Sequence, residues 1–500
     1  MTGAPGTVTH AFLGLDIGTS GVKALLMGPD GDVMAAATAP LALSTPQPGW
    51  AEQDPETWWQ AAVSVTRRVM AQAPGASIQS VGLSGQMHSS VFLDRDGQVI
   101  RPALLWCDGR TTAECAGITQ AAGGERVLRD WVCNPALEGF TLPKVLWLRR
   151  HEPAAFERLT TVLLAKDFIR YRLTGVLATE PSDASGTLMF DPARLEWSRP
   201  LLQAVGLSPA LLPDVGGSHE VLGRVTPSAA DRTGLTSGTP VVGGGADNAC
   251  GAAGVGAVAV GDAVASWGTS GTMLAPTDRP LVDPGLRAHT FCHVAPGLWY
   301  LMGVVLSAGG AFAWYRDRFA RDATDHALDD EASRIPPGAN GVTFLPYLQG
   351  ERSPHRDAAA RGAFAGLSLA HSRGDVTRAV LEGIAFAMRD SLSILQSLGL
   401  SPTHLLLTGG GAKSAFVRRL QAEVYGVPVT TVNREEGPAY GAALLAAVGA
   451  GAFADVAAAA RATLTRGAVE HPASGAHARY DQAYARYRAL YPALQPWGVG

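Results

Sequence analysis

The sequence predicts an α/β protein of two domains, each built on a mixed sheet, that flank an interdomain cleft. The chain has 500 residues, which is too long for one ordinary core. Strand-like and helix-like patterns follow one another along both halves, which is typical of α/β domains with partly antiparallel sheets. One short motif also occurs twice, once near the start of each half. We therefore expect a flexible tail at 1–10 and domains at 11–258 and 259–500.

The repeated motif is GTSG, placed between two apolar runs. Residues 12–27 read FLGLDIGTSGVKALLM, and residues 263–274 read AVASWGTSGTML. Glycine at both ends permits the positive φ values of a tight hairpin, whose consecutive N–H groups and hydroxyls suit phosphate oxygens. A single GTSG is ordinary turn chemistry, but two copies with similar flanks predict one phosphate-binding hairpin in each domain. The phosphate would then lie in the cleft between them.

Local signals place the first elements. Strands at 12–17, 21–27 and 32–43 form an antiparallel meander, and a Trp-rich helix begins at Asp54-Pro55 with Asp54 as its N-cap. Further strands are expected at 78–83, 161–164, 240–244, 289–303, 404–408 and 428–432. Further helices are expected within 141–175, from 247 to about 256, near 308–320 and 374–398, up to 425, and at 437–449.

Composition excludes several classes of protein. Hydrophobic residues make up 47% and charged residues 17% of the chain, which predicts a globular fold. A net charge of −4 without a dense basic stripe argues against a nucleic-acid partner. Five cysteines with no CxxC pair predict neither a zinc site nor a disulfide framework. No signal peptide or membrane span is evident, because the apolar runs are short. We expect a soluble cytoplasmic protein.

Asp16 stands two residues before the first GTSG, where the second copy has Ser266. A carboxylate beside a phosphate-binding loop repels phosphate unless a cation lies between them. Asp16 is therefore a candidate Mg²⁺ partner, directly or through water. The alternative is a strand-end aspartate that accepts hydrogen bonds from turn amides.

Asp247 is the candidate catalytic base. It follows an apolar strand and three glycines at the start of a predicted helix, where helix N-terminal amides would keep it ionised. Such a carboxylate can accept a hydroxyl proton during phosphoryl transfer. A purely structural N-cap is the alternative interpretation.

Three other segments could line the same cleft. Met87 and His88 follow a strand end, and His88 could bind a substrate hydroxyl, although a lone histidine is often structural. The segment WCDGR at 106–110 joins an aromatic, an acid and a base, or forms an ordinary turn with an ion pair. The segment GGGA at 409–412 is a glycine-rich turn between a strand and a helix, where a nucleotide can approach the backbone. It is neither a Walker A loop nor a GxGxxG fingerprint.

Taken together, the chain resembles the FGGY carbohydrate kinases of the actin-like ATPase superfamily, and within them the bacterial xylulokinases. The resemblance runs from about Phe12 to about Val448. Its segments are LGLDIGTSGVK (13–23), WAEQDPETWW (50–59), GQMH (85–88), LWCDGR (105–110), FTLPKVLWLRRHEP (140–153), GGGADNACGAAGVG (243–256), WGTSGT (267–272), FLPYLQGERSPH (344–355), RAVLEGIAFA (378–387) and TGGGAKS (408–414).

The resemblance implies two ribonuclease-H-like domains that close over a sugar and ATP·Mg²⁺, D-xylulose as the sugar, and D-xylulose 5-phosphate as the product. It makes Asp247 the base and Asp16 the metal residue. The implied sugar contacts are Met87, His88, Asn248, Trp106, Asp108 and Arg110. The implied ATP contacts are Thr19, Ser20, Lys23, Gly268, Thr269, Ser270, Gly410, Gly411 and Ala412. Members are often homodimers.

Two positions depart from the family pattern, and two alternatives stay open. Cys107 stands where relatives often carry Asn, and Ala415 stands where some carry a polar residue near adenine. A kinase for another ketose or polyol, such as ribulose or glycerol, is one alternative. The other is an ATP-dependent assembly or chaperone protein of the same superfamily, in which the pairs Met87-His88 and Asp247-Asn248 would have no evident use.

Overall fold

The computed structural model describes residues 9–434 and 436–497. The expected tail at 1–10 therefore falls largely outside the described residues. For Thr9 and His10 the prediction is wrong, because both belong to the first strand and pair with Ala76 and Ser77.

The first half builds a sheet with helices on its faces. Its strands are β1 Thr9–Ile17, β2 Gly21–Met27, β3 Val33–Pro40, β4 Glu52–Gln53, β5 Ala76–Gly85, β6 Val91–Leu93, β7 Ala103–Leu104, β8 Thr161–Leu163, β9 Ala178–Thr179, β10 Phe190–Asp191, β11 Glu196–Trp197, β12 Asp214–Val215, β13 Val221–Arg224, β14 Pro240–Val242 and β15 Gly245–Ala246. Its helices are α1 Pro55–Gln72, α2 Thr112–Ala122, α3 Glu125–Val132, α4 Thr141–His151, α5 Pro153–Arg158, α6 Ala165–Thr174, α7 Pro181–Ala184, α8 Arg199–Ala204, α9 Pro227–Thr233 and α10 Asp247–Gly254.

The main sheet of the first half has the order β13-β14-β5-β1-β2-β3, with β15 also beside β5. The predicted meander of β1, β2 and β3 is confirmed as antiparallel, whereas β5 runs parallel to β1. Asp16 lies opposite Ser84 of β5, and Ser84 lies opposite Gly245 of β15. The carboxyl ends of these parallel strands meet at one edge of the sheet, so Asp247, two residues beyond Gly245, comes to the same edge as Asp16.

The second half repeats this arrangement. Its strands are β16 Val264–Trp267, β17 Gly271–Thr277, β18 His289–Cys292, β19 Trp299–Val305, β20 Thr343–Leu345, β21 Ala363–Ala365, β22 Leu405–Gly409 and β23 Val429–Thr430. Its helices are α11 Gly309–Phe319, α12 Asp325–Ser333, α13 Arg373–Ser397, α14 Ala415–Tyr425, α15 Pro438–Gly449, α16 Val456–Thr463 and α17 Ala476–Leu494. Short 3₁₀ turns span Ser185–Thr187, Pro209–Leu211, Ala339–Gly341, Gly410–Ala412 and Gln495–Trp497.

The second main sheet has the order β18-β19-β17-β16-β22-β23. The hairpin of β16 and β17 is antiparallel, and β22 runs parallel to β16 with Thr408 opposite Ser266. These three strands therefore repeat the pairing of β1, β2 and β5. The internal repeat of the sequence is thus a repeat of the strand arrangement.

Helix α15 joins the two halves, because this second-half helix packs on β1, β5 and α10 of the first half. The contact is close enough to require glycine. A Cβ atom on Gly82 of β5 would lie 1.9 Å from the carbonyl oxygen of Ala442. A Cβ atom on Gly441 would lie 1.9 Å from the carbonyl oxygen of Cys250 in α10. Backbone therefore packs directly against backbone between the halves.

We expect Gly441→Ala to destabilise the protein by about 1–3 kcal/mol, because the new methyl group must push α15 away from α10. Gly117→Ala is the matched control, since Gly117 also lies inside a helix but a Cβ atom there would have no neighbour within 4 Å. That control should stabilise by up to about 1 kcal/mol. Urea unfolding of both variants measures the difference. Equal stability of the two variants would contradict the close contact.

Candidate active site

Two carboxylates face one another at the edge of the first sheet. Burial raises the pKa of Asp16 to about 6, an effect that the neighbouring Ser84 hydroxyl and then the charge of Lys23 only partly offset. Burial, and then the charge of Asp16, raise the pKa of Asp247 to about 7. The Oδ1 atom of Asp16 is inaccessible and has no hydrogen-bond partner among the described residues. The site therefore carries closely spaced negative charge that favours binding of a cation or a proton.

The expectation that helix-terminal amides keep Asp247 ionised is wrong. Among the described residues, its Oδ1 accepts hydrogen bonds from Asn248 alone, through the backbone N–H at 2.7 Å and through Nδ2 at 2.9 Å. Both bonds lower the pKa, but burial and Asp16 outweigh them. The alternative of an N-cap is also not met, because the capping position is Ala246 and Asp247 is the first residue of α10.

A buried polar network fixes the backbone in front of Asp247. Arg170 donates from Nη1 to the carbonyl oxygen of Gly243 at 2.9 Å. The N–H of Ala246 donates to Ser182 Oγ at 2.9 Å, and this hydroxyl donates to Glu180 Oε1 at 2.8 Å. All three side chains are fully buried. The carboxylate thus stands on a chain segment with little freedom to move.

A cavity of about 180 Å³ separates Asp247 from the second hairpin. Its lining includes residues of both halves, namely Asp247, Asn248, Ser266, Thr272, Thr408 and Gly437. Ser266 and Thr272 lie on the two strands that the second GTSG turn connects. Asp247 therefore lies between the two repeated hairpins, with Asp16 on one side and this cavity on the other.

Both GTSG turns offer unused backbone donors. The N–H groups of Thr19, Ser20, Thr269 and Ser270 donate to no other described residue. The second turn rests on the start of α11, because the N–H groups of Ala308 and Gly310 both donate to the carbonyl oxygen of Thr269 at 3.0 Å. Free N–H groups on an anchored turn are what phosphate oxygens require.

The other predicted nucleotide segment lies beside the second hairpin. Gly410, Gly411 and Ala412 form a 3₁₀ turn after β22. A Cβ atom on Gly411 would lie 2.7 Å from the ring of Trp267, at the end of β16. Ala415 begins α14 directly after this turn.

Met87 lies close to Asp247 through Asn248, and His88 follows Met87 in the chain. The Nδ2 atom of Asn248 lies 3.6 Å from Met87 Sδ. His88 donates from Nδ1 to the carbonyl oxygen of Gly186. Burial, and then Lys144, hold the pKa of His88 well below its usual range. The ring is therefore neutral, and its Nε2 can accept a hydrogen bond from a hydroxyl group.

Lys144 belongs to the family segment at 140–153, and the structure places its side chain beside His88. Its fully buried Nζ donates to the carbonyl oxygens of Gly139, at 2.6 Å, and His88, at 3.1 Å. Burial lowers its pKa to about 7. Spacing alone could not reveal this role, because the contacts join a helix to two separate loops.

The WCDGR segment divides into two parts. Trp106 donates from Nε1 to Thr19 Oγ1 at 2.9 Å and so contacts the first hairpin. Asp108 instead accepts from Arg110 Nη2 at 2.6 Å and from the N–H of Ala51 at 2.6 Å. The Arg110 guanidinium also packs over a tryptophan ring. The buried ion pair favours a positioning role for Asp108 and Arg110 over direct contact with a ligand.

Lys23, a candidate nucleotide contact, forms an ion pair with Glu436 of the second half. Asp32 and Arg434 pair across the same boundary at 2.5 Å. In this arrangement Lys23 links the two halves.

A Mg²⁺ site made only of protein ligands is not present, since no cluster of three or more potential metal ligands occurs among the described residues. Mg²⁺ commonly binds through one or two carboxylates together with phosphates and waters. The unpartnered Oδ1 of Asp16, next to Asp247, fits that mode.

Comparison with known proteins defines the class. Residues 11–254 match the profile of the FGGY family of carbohydrate kinases, N-terminal domain, and residues 263–450 match that of the C-terminal domain. The chain therefore belongs to the FGGY family of carbohydrate kinases, whose fold is that of the actin-like ATPases. No helix within the described residues combines the length and apolar character needed to cross a lipid bilayer.

Within this family the similar proteins are xylulose kinases. The chain is 38% identical to xylulose kinase of Bacillus subtilis (strain 168), over 96% of both chains. It is 40% identical to xylulose kinase of Escherichia coli (strain K12), over 88% of this chain and 90% of that one. A solved xylulose kinase structure from Brucella ovis superposes with a TM-score of 0.91 at 39% identity, covering 98% of this chain and all of the other.

We expect Asp16→Asn to stabilise the protein above pH 7 by about 1–3 kcal/mol in the absence of Mg²⁺ and ATP. The folded-state pKa of Asp16 lies above its usual value of 3.8, so its protonated form favours folding and that stability is lost as pH rises through about 6. The amide removes this loss. Urea unfolding at pH 4.5 and pH 8 measures it.

Asp96→Asn is the control for this prediction, because the Asp96 side chain is 72% exposed. It should leave unfolding unchanged at both pH values. Equal stability of Asp16→Asn and the unsubstituted protein at pH 8 would show that no buried charge is being held at this position.

Proposed function

We propose that the protein transfers the γ-phosphate of ATP to D-xylulose and forms D-xylulose 5-phosphate. Asp247 is the general base, and Met87, His88 and Asn248 bind the sugar. The observation that carries the proposal is the position of Asp247 between the two GTSG hairpins, beside Asp16 and in contact with Asn248. The names of the similar proteins support D-xylulose as the sugar.

The chemistry asks for one proton acceptor and good positioning. The ionised Asp247 accepts the proton of the terminal sugar hydroxyl as its oxygen bonds to the γ-phosphorus, and ADP leaves with the electrons of the broken P–O bond. A pKa of about 7 leaves a useful fraction of Asp247 ionised at neutral pH and keeps it basic enough to take a proton. The free N–H groups of the two turns would bind phosphate oxygens.

Asp16 would hold Mg²⁺, which neutralises phosphate charge when bound. The nucleotide would lie along the second hairpin and the turn of Gly410, Gly411 and Ala412. We also propose a cytoplasmic location. The resemblance alone supports a homodimer.

A panel of sugars tests the substrate. We expect ADP release, measured with a coupled assay, to be fastest with D-xylulose and slow with ribulose and glycerol. The reason is that Met87 and His88 match the xylulokinase motif. Strong activity with ribulose or glycerol and little with D-xylulose would show that D-xylulose is not the preferred substrate. ATP hydrolysis at the same rate with and without each sugar would favour the assembly or chaperone class.

Two substitutions separate the base from the metal residue. Asp247→Asn should lower kcat at least about a hundredfold while ATP still binds, because the proton acceptor is lost. Asp16→Asn should instead raise the Mg²⁺ concentration needed for half-maximal rate. Steady-state kinetics at varied Mg²⁺, with calorimetry for ATP binding, measure both effects. Near-normal kcat for Asp247→Asn refutes its assignment as the base.

A further inference from the structure

An arginine of the second half lies against the sugar-binding residues of the first. Arg352 follows Glu351 in the segment between β20 and β21. Glu351 Oε1 accepts hydrogen bonds from the N–H groups of Leu306, at 3.0 Å, and Arg352, at 2.7 Å. The N–H of Ser353 donates to the carbonyl oxygen of Val304 at 3.0 Å. The backbone of Arg352 is thus fixed on the end of β19 from both sides.

The donors of the Arg352 side chain are not used by the residues that the structure describes. Its guanidinium makes no hydrogen bond and no salt bridge with any residue that the structure describes, although the residue is largely buried. Arg356, four residues later, differs in this respect, since it pairs with Glu125 at 2.5 Å. Burial lowers the pKa of Arg352, yet an arginine remains charged in proteins. The residue is partly exposed, and the charges of Glu138 and Glu351 act on it. Because its guanidinium donors are not used by the described residues, a ligand that supplies oxygen atoms would accept hydrogen bonds from them.

The guanidinium lies where such a ligand would be. A Cβ atom on Gly139 would be 3.0 Å from Arg352 Nη2 and 2.9 Å from the carbonyl oxygen of Trp106. Gly139 is also the residue whose carbonyl oxygen accepts from Lys144, which in turn contacts the backbone of His88. Arg352 influences the pKa of His88 directly. Arg352 therefore forms part of the same wall as His88, Trp106 and Lys144.

Asp247 and Arg352 adjoin different residues of this site, since Asp247 adjoins Asn248 and Arg352 lies against Gly139. Met87 contacts Asn248, next to the base, and His88 follows Met87 toward Arg352. The sugar hydroxyl that is phosphorylated must be at Asp247. The far end of a bound ketose carries a hydroxyl group beside a carbonyl group, and the two nitrogens of a guanidinium fork match such a pair of adjacent oxygens.

We infer that Arg352 is a specificity-determining residue that binds the C1 hydroxyl and C2 carbonyl oxygens of the ketose. This inference rests on the proposed function. Arg352 comes from the second half, whereas Asp247 and His88 come from the first. A bound ketose thus contacts both halves at once, and its keto end is recognised by the half that also carries the second phosphate-binding hairpin.

Kinetics with D-xylulose and 1-deoxy-D-xylulose, which lacks the C1 hydroxyl, test the contact. Arg352→Gln should lower kcat/KM for D-xylulose roughly ten- to a hundredfold, mainly through KM, and should lower it much less for the deoxy sugar. Arg352→Lys keeps the charge without the fork and should give an intermediate loss for D-xylulose. Arg356→Gln, the matched control in the same segment, should leave the ratio between the two sugars unchanged.

The ratio between the two sugars separates contact from structural damage. A variant that only disturbs folding lowers kcat/KM for both sugars by the same factor, and that result in both Arg352 variants would overturn the inference. Unchanged kinetics for D-xylulose would overturn it as well. If the unsubstituted protein does not phosphorylate D-xylulose, both the proposed function and this inference are overturned. An equal loss for both sugars, or unchanged kinetics for D-xylulose in the Arg352 variants, overturns only the inference.

Discussion

The packing of α15 on the first half is the constraint on which the rest of the structure depends. Gly82 and Gly441 allow backbone to contact backbone at the places where any side chain would collide. The same helix begins at Pro438, and Gly437 just before it lines the cavity beside Asp247. The distance between the two hairpins is therefore set by a helix contact rather than by the hairpins themselves. The position of the second hairpin relative to Asp247 and the joining of the halves therefore depend on the same helix.

The site concentrates charge that the protein does not neutralise by itself. Asp16 and Asp247 are buried near each other, and this makes the ionisation of both carboxylates unfavourable. Arg352 carries a charge of the opposite sign near Gly139, and its guanidinium forms no salt bridge among the described residues. On the proposed function, a cation near Asp16 and substrate oxygen atoms near Arg352 would lower these costs. The buried hydrogen-bond network around Glu180 and Arg170 stabilises the fold and so offsets the destabilising effect of such a site.

Local patterns in the sequence were sufficient for much of the fold. The side chain of Asp54 caps α1 as predicted, accepting from the N–H of Glu56 at 2.9 Å, because a cap depends on neighbours in the chain. The repeated hairpin and the position of Asp247 after a strand also follow from short segments. The ion pair of Lys23 and the orientation of Arg352 could not be predicted, since both depend on how distant segments meet. The raised pKa of Asp247 likewise arises from burial and from Asp16, which no local pattern reports.

The glycine contact beneath α15 also determines which movements the halves can make. When the side chains of a helix interlock with those of a sheet, the helix can move only if these side chains are displaced, and that displacement costs free energy. At Gly82 and Gly441 there are no side chains to interlock, but Ser80 Oγ of β5 donates to the carbonyl oxygen of Ala446 in α15 at 2.5 Å, so α15 cannot slide along β5 without breaking this hydrogen bond. A movement of one half relative to the other that keeps this hydrogen bond would have to carry α15 along with β5.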